Sequence, residues 1–133
     1  MRALLLPVGS DLYAVDMLVA REVVAAPEIQ PLPTSPATVV GVFNLRGEIV
    51  PVFDTSMLLG LGRGDGSAPF VCVVQTPLGP AALVMTALGT AVELDEPVGA
   101  TETPGTLATY AVGDTLVVLI DLDALLTPAR IDT

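Results

Sequence analysis

The sequence predicts an all-β protein made of two similar lobes, each of five short strands closing into a small barrel and followed by a short helix. Three observations lead there. Runs rich in Val, Leu and Ala are cut by Gly, Pro, Asp and Thr at the spacing of many short strands. The chain overlays on itself when displaced by about 67 residues. Its composition, 52% hydrophobic and 15% charged, suits closed barrels whose strands are apolar on both faces and which leave few exposed edges.

The first set of strands is expected near 3–7, 11–16, 20–25, 40–45 and 48–53. The opening Met1-Arg2-Ala3-Leu4-Leu5-Leu6-Pro7 has the look of a secretion leader, but the apolar run is short and Ser10-Asp11 follow at once, so it reads as a strand. Between the third and fourth strands, Pro27 to Pro36 reads as a stiff connection over a barrel end. Ser35-Pro36 reads as an N-cap and first helical residue opening one turn of helix. Asn44-Leu45-Arg46-Gly47-Glu48 makes a tight reversal, Gly47 supplying the positive φ. Asp54 then sits where a strand ends and an apolar pair begins, so its carboxylate can cap a short helix that Gly60 ends.

The second set is expected near 70–75, 80–85, 89–94, 108–112 and 115–120. Glu48 to Asp54 falls on Thr115 to Asp121, and Met57-Leu58-Leu59 falls on Ala124-Leu125-Leu126. Tyr13-Ala14-Val15 falls on Ala81-Ala82-Leu83. The expected division is one domain over 1–133, with lobe 1 at about 1–64 and lobe 2 at about 65–133. Gly60 to Gly66 reads as a flexible connection between the lobes. No lysine follows these glycines and a strand, not a helix, comes next, so they do not form a phosphate cradle.

Composition also excludes chemistry. With no histidine and one cysteine, the chain can build no Ser-His or Cys-His pair, no zinc site of the usual kind and no internal disulfide. The net charge is −10 and the five arginines are scattered, so nucleic acid and anionic membrane surfaces are poor partners. No uninterrupted apolar stretch is long enough for a membrane helix, and the chain reads as cytoplasmic. No cofactor or metal ligand set is evident; Glu93, Asp95 and Glu96 read as a solvated acidic face. Cys72, inside an apolar strand, reads as a small buried hydrophobe.

One stretch invites a catalytic reading. Asp54-Thr55-Ser56 after Val50-Pro51-Val52-Phe53 is similar to the Asp-Thr-Gly strand end of aspartic proteases, which need two carboxylates sharing a proton. The glycine is missing, and the second copy, Ile120-Asp121-Leu122-Asp123, lacks the hydroxyl residue as well. Helix capping accounts for both aspartates. Arg46 has two readings on physical grounds: an anchor for a carboxylate or amide on a partner, or an internal salt bridge to Glu22 or Glu48.

At these residues the sequence resembles CheW-like domains, the coupling proteins of bacterial chemotaxis. Gly41-Val42-Phe43-Asn44-Leu45-Arg46-Gly47-Glu48-Ile49-Val50-Pro51-Val52-Phe53-Asp54 carries the likeness, supported by Tyr13 to Asp16, Arg21 to Val24 and Leu116 to Leu126. The resemblance implies two SH3-like barrels on a shared apolar interface and no enzymatic activity. It implies an adaptor at receptor arrays near the inner membrane, joining the cytoplasmic tip of a methyl-accepting chemoreceptor to the regulatory domain of a CheA-type histidine kinase. Carried onto this chain, the receptor surface comprises Ala20, Glu22, Val39, Gly41, Asn44, Leu45 and Arg46. The kinase surface falls near Val84, Met85, Leu88 and Gly89. Self-association through barrel ends is a further expectation.

Overall fold

The computed structural model describes residues 1–132. Ten strands and three short helices follow one another: β1 (Arg2–Val8), β2 (Asp11–Asp16), β3 (Ala20–Ala25), β4 (Val39–Leu45), β5 (Glu48–Phe53), α1 (Thr55–Leu58), β6 (Phe70–Thr76), β7 (Gly79–Met85), β8 (Ala91–Glu93), β9 (Thr106–Val112), β10 (Thr115–Ile120), α2 (Leu122–Leu125) and α3 (Pro128–Ile131). They form two five-stranded sheets, ordered β8-β1-β2-β10-β9 and β3-β6-β7-β5-β4. The all-β class, the count of five and the helix after each fifth strand are as the sequence predicts.

The repeat is present but its halves are interleaved. Each unit contributes a first hairpin, three further strands and a helix, and each hairpin pairs with the last three strands of the other unit. β2 lies parallel to β10, with Leu119 opposite Ala14, and β7 lies parallel to β5, with Val52 opposite Ala82. Register irregularities recur at matching places, between Leu119 and Ile120 and between Val39 and Gly41. The expected lobes at about 1–64 and 65–133 are therefore corrected. One barrel is the continuous stretch from β3 to β7, and it is inserted into the other, built from β1, β2 and β8 to β10. The segment 60–66 consequently joins two elements of one barrel. It is folded back on α1, with the Gly64 N–H donating to the Asp54 carboxylate at 2.9 Å.

Interleaving explains why the hairpin strands are apolar on both faces. In β6, Val71 and Val73 point into their barrel, while Cys72 and Val74 point into the interface. In β1, Ala3 faces the other barrel's interior while Leu6 and Val8 join that same interface. Three cores result: one inside each barrel and a larger one between them, which includes Leu58, Leu83, Met85 and Leu125.

Each barrel is closed by a segment outside its named strands. Gln30 and Val42 exchange backbone hydrogen bonds of 2.7 and 2.9 Å, so the proline-rich segment runs along β4 rather than across a barrel end. In the other barrel Val98 donates to Thr109, which donates to Gly99. The first closure depends on Gly41: a Cβ there would overlap the Gln30 carbonyl and lie 2.8 Å from Ile29 Cγ2. Two local expectations are corrected. Ser35-Pro36 forms only a hydrogen-bonded turn, Val39 N–H donating to Pro36 O, because β4 begins at once. The helix α3 is an addition, capped by Thr127 and opened by Pro128.

Two outcomes test this packing. Gly41→Ala lowers unfolding free energy by about 2 kcal/mol or more, while Gly99→Ala, with open space around it, stays within about 0.5 kcal/mol in denaturant melts. Equal losses would refute the closure. Burial pushes the Cys72 thiol up to about 12. The native protein should therefore resist iodoacetamide at pH 8 and react only when unfolded; alkylation at equal rates in both states would contradict its burial.

Candidate functional site

The turn between β4 and β5 is the most specialised surface feature. Arg46 and Gly47 both have positive φ, 51° and 90°, as a two-residue primed turn requires. A non-glycine residue in that region is strained. The corresponding position of the β9–β10 turn is Gly113, with φ 60°. The Asn44 side-chain oxygen accepts the Gly47 N–H at 2.7 Å, and at the corresponding position Ala111 has no side-chain acceptor.

Two ion pairs connect this turn to β3, on the far edge of the same sheet. Arg46 Nη2 lies 2.9 Å from Glu22 Oε1 and donates to Oε2 at 3.0 Å. Arg21 Nη1 lies 3.1 Å from Glu48 Oε1. Of the two partners open to Arg46 from sequence, Glu22 is the one it takes. The hydrogen bond from Arg46 holds the Glu22 carboxyl below the ordinary glutamate range, with burial opposing. Exposed pairs of this kind orient side chains more than they stabilise a fold. Glu22 uses only Nη2, and the Arg46 side chain is 67% exposed, so its remaining donors face solvent-accessible space.

The expected receptor residues divide by role. Asn44 and Arg46 are exposed, Glu22, Ala20 and Val39 are half-buried, and Gly41 and Leu45 are buried. Leu45 fills the barrel interior, and Gly41 admits the closing segment. Of the expected kinase residues, Leu88 is 62% exposed. Gly89 is packed so closely on Leu5 that a Cβ would overlap its carbonyl. Val84 is half-buried. Met85 is corrected: it is fully buried in the core between barrels and offers no surface to a partner. Alternation along β7 turns Ala81, Leu83 and Met85 to the same face. Sequence reading also missed Leu18, 92% exposed in the link from β2 to β3 beside Ala20, and the Arg21–Glu48 pair. The signal for the pair was available, since an opposite charge stands near each member of the first pair, Arg21 next to Glu22 and Glu48 two residues after Arg46.

Nothing resembling an acid–base dyad is assembled around Asp54. Its oxygens accept the N–H groups of Met57 at 3.2 Å and Gly64 at 2.9 Å. Thr55 and Ser56 hydroxyls donate to the backbone oxygens of Val84 and Gly62. Asp121 caps α2 through the Ala124 N–H. Among the described residues no group of three potential metal ligands is brought together, and Glu93 pairs with the N-terminal amine at 2.9 Å. Two cavities of about 360 and 400 Å³ lie at the flanks of the inter-barrel contact. The first is lined by Asp54 and the Gly64–Ser67 segment, the second by apolar groups including Phe53, Leu78, Leu126 and Ile131. No helix among the described residues is long and apolar enough to cross a membrane.

Comparison with known proteins gives a consistent result. The family model for the CheW-like domain matches residues 2–130. A chemotaxis protein CheW from Treponema pallidum (strain Nichols) is 41% identical over 46 residues, 35% of this chain and 27% of that protein. Another, from Rhizobium meliloti (strain 1021), is 34% identical over 67 residues, 50% of this chain and 43% of that protein. The matched segments thus span less than half the length of these relatives. The crystal structure of the scaffolding protein TtCheW from Thermoanaerobacter tengcongensis superposes with a TM-score of 0.83 at 23% identity, covering 99% of this chain and 96% of that one. At that identity the likeness shows a shared fold.

The geometry sets an electrostatic expectation. Because the Glu22 folded-state pKa is depressed, the contribution of the pair is complete at neutral pH and disappears as pH falls through that depressed value. The side-chain carboxyl carbon of Glu22, followed by NMR, titrates at a lower midpoint in the native chain than in Arg46→Gly. Identical midpoints would show that the contact does not persist in solution.

Proposed function

Because the chain belongs to the CheW-like domain family, a family of scaffolds rather than enzymes, we propose that it is an adaptor coupling a chemoreceptor tip to a CheA-type histidine kinase. The observation that carries this reading is the Arg46–Glu22 pair, with Arg46 set on a strained turn and its side chain 67% exposed. Receptor binding uses Arg46 and Glu22 as polar anchors, with Ala20 and the neighbouring Leu18 supplying apolar contact, while Val39 lies at the opposite end of β4 from the turn. Gly41 and Leu45 serve that surface from beneath, by holding the barrel wall that carries it. The kinase regulatory domain docks at the link from β7 to β8, where the chain passes from one barrel to the other and Leu88 projects next to Gly89, with Val84 in the strand before it. Signal passes as a change in the relative placement of the two partners, and the protein works at receptor arrays on the cytoplasmic side of the membrane.

Arg46→Glu places a carboxylate against Glu22 and removes the forked donor. It weakens binding to a purified receptor-tip fragment by about tenfold or more, with little change in melting temperature. Asp54→Ala, by contrast, leaves that affinity unchanged and costs about 1 kcal/mol of stability through the α1 cap. Calorimetric titration of the fragment into each variant checks both outcomes. Native affinity in Arg46→Glu would overturn the assignment of this surface.

A further inference from the structure

The two barrels are copies of one plan, so differences between matching positions separate what the fold requires from what the surface has added. At the β9–β10 turn the left-handed position is Gly113, which adopts it without strain. The β4–β5 turn has two positive-φ residues, Gly47 and, at the position of Gly113, Arg46, which adopts it at a steric cost. The turn that carries the strained residue also carries a brace the other lacks: Asn44 Oδ1 holds the Gly47 N–H at 2.7 Å, where the second barrel has Ala111. Glu22 engages the guanidinium only through Nη2, so the ion pair alone does not fix the backbone beneath it.

We propose that Asn44 is a positioning residue: it fixes the left-handed turn that presents Arg46, and it influences partner binding through Arg46 rather than by touching the partner. The inference rests on the docking reading above and narrows it, since Asn44 otherwise counts among the contact residues. The Asn44 side chain is exposed, on the opposite face of β4 from the buried Phe43 and Leu45, so substitution there leaves the barrel core untouched. Aspartate at this position keeps an acceptor for the Gly47 N–H, whereas alanine removes it.

A double-mutant cycle with a receptor-tip fragment, read beside Gly47 amide exchange in the free protein, tests the proposal. Asn44→Ala should raise Kd by about two- to tenfold and speed Gly47 exchange, whereas Asn44→Asp should keep both near native. In an Arg46→Gly background, Asn44→Ala should cost no further affinity, because the residue it positions is gone. A full additional loss in that background would show direct contact and overturn the proposal, as would native-like Gly47 exchange in Asn44→Ala. If Arg46→Gly itself leaves Kd unchanged, the docking reading fails. The bracing is then judged by the exchange rates, which do not involve the partner.

Discussion

The structure depends on the exchange of first hairpins between its two repeats. β1–β2 completes the barrel formed late in the chain, and β6–β7 completes the one formed early. The central strands of both sheets therefore lie between a barrel interior and the shared interface, and must be apolar on both faces. Burial of Leu6, Val15, Val74, Leu83 and Met85 in one continuous core couples the barrels directly. Neither can lose its hairpin without opening the other's interface, so the surfaces at the two crossings are held in fixed relation. That relation is what an adaptor needs if it transmits placement rather than chemistry.

On this repeated frame, the proposed receptor surface stands out as broken symmetry. Arg21, Glu22, Asn44, Arg46 and Glu48 in one barrel correspond to Gly89, Thr90, Ala111, Gly113 and Thr115 in the other. Both copies share the register irregularity of the last hairpin, while the turns differ: Arg46 and Gly47 both take positive φ, and in the other barrel only Gly113 does. The charged barrel mouth carries two ion pairs across its edges, and its counterpart carries uncharged residues at the same positions. The aspartates follow the opposite rule. Asp54 and Asp121 occur in both copies and cap a helix in both, as a residue serving the fold should.

Much of this was legible in the sequence. The strand positions, the displacement near 67 residues and both helix caps follow from apolar runs and punctuation. The pairing of hairpins was not, because two-residue periodicity reports which side chains share a face and is silent on which strand lies alongside. Two similar hairpins suit either set of partners. The same limit hid Met85, whose burial follows from β7 being a central strand. β8 is shorter than expected, Ala91–Glu93, because the chain leaves β1 to reach β9 through Val98 and Gly99. The helix α3 left a readable signal, Thr127-Pro128, that apolar pattern alone passed over. At the site, the turn and its arginine were legible. Its partner was not, since choosing between Glu22 and Glu48 needs the distance between β3 and β5.

The central claim is that two separate faces of one rigid body hold two macromolecules together. Sedimentation of the protein with a receptor-tip fragment and a kinase regulatory domain measures this directly. The account predicts one ternary species, larger than either binary complex, that forms only when this chain is present. Mutually exclusive binding of the two fragments, or no complex with either, would contradict it.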